Sequence, residues 1–272
     1  MARWKKRNAL LDGGFVVPGS NAFGHSFRDY EKESERRATV EELYRVNHSY
    51  QTYDFAKKKK EEYGKLQKAE MSIWDCIELL NGIVDESDPD LDEPQIEHLL
   101  QSAEAVRRDY PDQDWLHLTA LIHGDTFPLG CAFDESIVHH KVKSSDSLHS
   151  YFHATTLSLF RLPFTCGEPG RTSTTHCGID KVTMSWGHDE YMYLVMKGNE
   201  TKLPPASLFI VRFHSFYALH RSGAYTYLMN QHDKEMLEWL LVFNKYDLYS
   251  KSKEKIKLEE VKPYYLSLSV TR

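Results

Sequence analysis

Apolar residues recur at helical spacing along most of the chain, whereas strand-like alternation is weak throughout. The spacing predicts a helix over 39–70 that ends in a charged stretch, Lys57 to Lys60 with Glu61 and Glu62. That run reads as a solvated helix face rather than a phosphate-binding patch. A second helix fits Glu70 to Ile83, with Met71, Trp74 and Leu79 among its apolar positions. The acidic run Asp85-Glu86-Ser87-Asp88-Pro89-Asp90 breaks the pattern, and Pro94 before Gln95 suits the first turn of a third helix to about Arg108. A fourth covers Asp114 to His123; Asp189 to Lys197, Pro205 to His220 and Asp233 to Tyr246 follow. The fold class expected is therefore all-α.

Two stretches stand outside that pattern. Residues 1–37 are rich in Gly, Arg and polar side chains and read as an N-terminal arm, leaving 38–272 as one expected domain. Within it, 142–176 is rich in Ser, Thr and His, carries Gly167, Pro169 and Gly170, and has no period. A long irregular segment inside a compact domain is uncommon unless functional or disordered.

Composition narrows the class. With 41% hydrophobic and 27% charged residues over 272 positions, the chain has enough apolar material for a sizeable core. Its net charge of −6 argues against nucleic acid as a partner, because phosphate binding needs a basic face. No apolar run, Leu208 to Val211 included, approaches the length of a membrane span. The basic start is not followed by a signal-like apolar stretch. Cys76, Cys131, Cys166 and Cys177 form no C-x-x-C pair and read as free thiols, so a cytoplasmic location is expected.

The histidine count, 14, invites a search for metal ligands. On the helix from Asp233, Met236, Leu240, Phe243 and Asp247 are spaced 0, 4, 7 and 11. That spacing puts the carboxylate within about 20° of the apolar stripe. A buried carboxylate must be paired or bind a metal; the bland alternative puts Asp247 just past the helix end, in solvent. His214 has Ile210, Val211, Tyr217 and Ala218 at helical spacing, so it is expected to be buried and hydrogen-bonded, or ligating. His188 is similar, with Met184, Tyr191 and Met192 around it, and His123 closes the run Leu118 to Ile122. His98 lies opposite the stripe Ile96, Leu99, Leu100, Ala103 and Val106, beside Gln101 and Ser102. Only a helix packed on both faces would make it a ligand. Imidazole with carboxylate, and no cysteine, suits iron, zinc, nickel or manganese. For each histidine taken alone, a satisfied core residue is the simpler reading.

Several long strings carry a family resemblance. Val84 to Asp90, Asp114 to Thr119, Gly124 to Pro128, Met184 to Tyr193, Arg212 to Tyr217 and Phe243 to Tyr249 resemble myo-inositol oxygenase of a plant-like kind. Phe27 to Tyr30 and Asn47 to Thr52 extend the likeness, which covers about 25–141 and 177–268. The resemblance implies a helical HD-domain-like bundle holding a mixed-valent di-iron centre that cleaves myo-inositol with dioxygen to D-glucuronate. By resemblance His98, His123, His188, His214 and Asp247 match iron ligands. Arg28, Asp85, Glu86, Ser87, Gly124, Asp125, His214 and Ser215 match substrate-binding positions. Myo-inositol and dioxygen are then the partners, and a monomer is expected.

The chain also departs from the family pattern. In the family, the histidine matching His123 is followed at once by an aspartate that bridges the irons, and soon by a substrate-binding lysine. Here His123 runs straight into Gly124 and Asp125 of the next motif, so an intervening stretch is absent. Five of six ligands remain, which implies one iron or none unless Asp125 replaces the bridge. Two other readings stay open: an inactive isoform with partial metal or polyol binding, and an HD-type metal phosphohydrolase.

Overall fold

The computed structural model describes residue 20 and residues 37–82, 94–123 and 176–270. The N-terminal arm up to residue 36, residue 20 apart, and the irregular segment over 142–175 lie outside them. So do Arg28, Asp85, Glu86, Ser87, Gly124 and Asp125. The described residues are helical, with isolated bridge positions but no strand among them.

In chain order the helices are α1 (Arg37–Tyr50), α2 (Tyr53–Tyr63), α3 (Ile73–Leu79), α4 (Gln95–Asp109) and α5 (Asp114–Ala120). After residue 176 come α6 (His188–Gly198), α7 (Pro205–Phe213), α8 (Tyr217–His220), α9 (Gln231–Tyr249) and α10 (Leu258–Val270). The single helix expected over 39–70 is two helices, because Thr52 takes an extended conformation and its side chain accepts a bond from the Phe55 amide as the cap of α2. Gln51 beside it is spent elsewhere. Its amide group pairs with both the carbonyl and the N–H of Trp186, at 2.6 and 2.8 Å, and so ties the start of the chain to the entry of α6. Reciprocal capping boxes start α3 (Ser72 with Asp75) and α9 (Asn230 with Asp233).

Helix α9 is the axis of the bundle, packing against α7 and α4, while α4 packs on α5 and α6 on α7. One hydrophobic cluster runs through them, with Leu100, Leu116, Met184, Ile210, Leu219, Leu240 and Phe243 fully enclosed. Helix α10, which the spacing did not reveal, carries a proline at 263 and buries Val261, Tyr265 and Leu268. It straps α4 and α5 together: the Tyr265 hydroxyl donates to Glu104, Tyr264 pairs with His117 and Asp114, and Arg107 lies 3.7 Å from the Tyr264 ring centroid. Cys76 is free, but Cys177 is disulfide-bonded, so the expectation of free thiols fails there. No helix among the described residues is long and apolar enough to cross a membrane.

Helices α6 and α7 are joined by a buried ion pair. Arg212 donates to both oxygens of Glu190, at 2.7 and 3.1 Å, and to the carbonyls of Asp180 and Val182. Burial alone would raise the Glu190 carboxyl, but Arg212 and then Lys60 hold it below its usual range. Removing one partner of such a pair leaves a desolvated charge behind. Arg212→Met is therefore expected to cost about 3 kcal/mol of stability, and adding Glu190→Met to recover part of it. Urea midpoints of the two variants measure this; equal losses would contradict it.

Candidate metal centre

The side chains of His98 and Asp247 come from helices that face each other, α4 and α9. Asp247 lies inside α9, two residues before its end, and is 2% exposed. The solvated alternative for it is thereby excluded. Helix α4 is indeed packed on both faces. Its polar side docks on the chain that leaves α9, where Gln101 pairs with the backbone of Ser252 and Glu254, and Ser102 with Ser250. His98, on the same side, is turned inward. His123 follows the end of α5, and its Nδ1–H donates to the Ala120 carbonyl at 2.9 Å, which turns Nε2 towards His98 and Asp247.

These three side chains meet at one point. His98 Nε2 and Asp247 Oδ1 are 3.1 Å apart, His123 Nε2 and Asp247 Oδ1 3.1 Å, and the two Nε2 atoms 3.0 Å. Among the described residues they form the group of His, Cys, Asp or Glu ligand atoms close enough to share an ion. The other carboxylate oxygen is fixed by donors: the Tyr217 hydroxyl at 3.0 Å and the Asn244 amide at 3.4 Å. Burial alone would raise the Asp247 carboxyl, but the hydrogen bonds and charge of His123 and His98 hold it well below the usual carboxylate range. Burial pushes His98 down, so it is neutral near pH 7.

Hydrogen bonding within the protein does not fully satisfy this point. His123 Nε2 and Asp247 Oδ1 converge on the single nitrogen His98 Nε2, while His98 Nδ1 is buried without a hydrogen-bond partner. A cation at the point of convergence would take all three ligand atoms, and the donor set of imidazole and carboxylate is one that iron accepts.

The remaining expected ligands are arranged differently. His214 is buried, as its spacing implies, but sits in the turn between α7 and α8 rather than within a helix. Its Nδ1 pairs with the Ile210 carbonyl at 3.1 Å and its Nε2 with the Ser215 hydroxyl at 3.0 Å. Ser215 also reaches Asp189 at 3.4 Å. The structure contradicts burial of His188: its side chain is 65% exposed, with Nε2 3.7 Å from Asp189 Oδ1. The reason is local. Helix α6 begins at His188, so Met184 precedes the helix and the supposed spacing does not apply. Tyr217, Asn244 and Asp189 escaped the sequence reading, although Asn244 stands three residues before Asp247 and on the same helix face.

Comparison with known proteins gives the family. The family model for myo-inositol oxygenase matches residues 37–123 and 124–271. The chain belongs to the myo-inositol oxygenase family. Inositol oxygenase 1 of Arabidopsis thaliana is 58% identical over 96% of this chain and 86% of its own length. A probable inositol oxygenase of Oryza sativa subsp. japonica is also 58% identical, over 95% and 87%. The Bos taurus inositol oxygenase is 38% identical over 83% and 81%. The plant-like character of the resemblance is thus borne out, and the chain is an oxidoreductase of the inositol oxygenase type. The two segments of the family match abut at the His123–Gly124 peptide.

Behind the cluster, His220 donates through Nε2 to the His214 carbonyl, and its Nδ1 is buried without a partner. Burial pushes this imidazole down to about 4, and the bond to His214 offsets only part of that. As pH falls from about 6.5 towards 4, the unfolded chain takes up a proton here that the folded chain does not. Stability is therefore lost in that window, by up to about 3 kcal/mol from this residue. His220→Gln should flatten that part of a urea-midpoint profile; an unchanged slope would contradict the assignment.

Proposed function

We propose that this chain cleaves the ring of myo-inositol with dioxygen to give D-glucuronate, at iron held by His98, His123 and Asp247. The observation that carries the reading is the convergence of two imidazole nitrogens and one carboxylate oxygen on a single point. Family membership supplies the substrate class. Iron bound there supplies the electron and dioxygen chemistry that side chains lack.

The chain's own residues do the rest. Tyr217 and Asn244 hold Asp247 Oδ2, so that Oδ1 is aimed between the two imidazoles. Ala120 fixes the tautomer of His123, and the ring of Phe243 packs edge-on against the same imidazole, 5.1 Å between centroids, screening that side from water. Ser215 is already bonded to His214 and Asp189, so it meets a polyol hydroxyl by exchanging one of those partners. Arg28, Asp85, Glu86, Ser87, Gly124 and Asp125 are proposed as polyol contacts on family resemblance alone. A location in the cytoplasm and a monomeric state belong to the same proposal. The family match leaves nothing in favour of the phosphohydrolase reading.

The test is oxygen consumption and glucuronate formation by protein loaded anaerobically with Fe(II) and then given myo-inositol and air. Both readouts of turnover are expected, and Asp247→Asn should lower them by at least about 100-fold with the helical circular dichroism unchanged. Iron-loaded protein that consumes no oxygen would overturn the reading. A milder variant probes the support of the site: Tyr217→Phe should weaken iron binding by about 10–100-fold in competition with a chelator. Unaltered affinity would show that the phenol does not orient Asp247.

A further inference from the structure

We infer that the centre of this chain is mononuclear, with a single iron on the face formed by His98 Nε2, His123 Nε2 and Asp247 Oδ1, and that the described residues provide no site for the second ion expected from the family resemblance. The inference rests on the metal reading above and deepens it.

Donor spacing is the first support. Three donors on one face of an octahedron, at bond lengths of about 2.1 Å and 90° apart, lie about 3.0 Å from one another. The three distances here are 3.0, 3.1 and 3.1 Å. Two imidazoles and one carboxylate on one face, with the opposite face open, is the donor set of mononuclear non-haem Fe(II) oxygenases.

The second support is what the other expected ligands do. A second ion would draw on His188 and His214. His188, at the first position of α6, is 65% exposed, with Nε2 3.7 Å from Asp189 Oδ1. The lone pair of His214 Nε2 faces the Ser215 hydroxyl, which is itself within reach of the buried Asp189 carboxylate. Ser215 therefore stands where a ligand bond from His214 would have to form. Binding there would break the pair with Ser215 and pull an exposed histidine inward.

The sequence is the third. The position after His123 is Gly124, which has no side chain to offer, and the family match divides at that peptide. The alignment to the Arabidopsis relative spans 281 positions although only 96% of these 272 residues enter it, so the chain passes over positions that the relative has.

The deciding measurement is iron per chain in the full-length protein after anaerobic loading with Fe(II) and desalting, with electron paramagnetic resonance after oxidation. One iron per chain is expected, with the signal of an isolated high-spin ferric ion. His188→Ala should keep that iron, and His98→Ala should lose it. Two irons per chain, an exchange-coupled mixed-valent signal, or loss of iron in His188→Ala would overturn the inference while leaving the metal reading intact. No retained iron would overturn both.

Discussion

A carboxylate in the middle of a helix core has to be solvated by protein, and the arrangement of this bundle follows from how Asp247 meets that constraint. Each oxygen has its own task. Oδ2 takes the neutral donors Tyr217 and Asn244, one from the short helix α8 and one from the preceding turn of α9. Oδ1 takes the imidazoles of α4 and of the end of α5. Four segments are thereby placed around one side chain, and the docking of Gln101 and Ser102 onto the chain beyond α9 sets the same two helices in register.

Buried polar clusters elsewhere in the protein show what distinguishes this one. His117 is as buried as any ligand, yet both its nitrogens have protein partners, Tyr110 on one side and Tyr264 on the other. Glu190 and Arg212 meet with charges of opposite sign and shared donors. Those networks are closed. At His98, His123 and Asp247 three ligand atoms crowd one point while His98 Nδ1 has no partner, and burial alone would not separate the two kinds.

Much of this was legible in the sequence, for reasons that can be stated residue by residue. Asp247 was marked by its register with Leu240 and Phe243 on a helix whose period is undisturbed. His214 was marked by apolar neighbours, of which Ile210, Val211 and Ala218 are buried. His98 was ambiguous because periodicity describes one helix, whereas its burial depends on what docks against the polar face of α4. His188 was misread because spacing was counted across the point at which α6 begins. The division of the first helix turned on the Thr52 cap, and α10 was hidden by Pro263 within a weakly patterned stretch. The proline removes one helix hydrogen bond, but Tyr264 and Tyr265 secure the helix through their hydroxyls.

His98, His123 and Asp247 are 25, 124 and 149 positions apart pairwise along the chain. A cation shared by them is therefore a reversible cross-link that closes two long loops of polypeptide, a restraint whose entropic weight grows with loop length. Folding and metal uptake become one equilibrium, and the stability of the bundle rises with the logarithm of free ion once binding is saturated. The abundance of such a chain would then follow the supply of the metal as much as the rate of its synthesis.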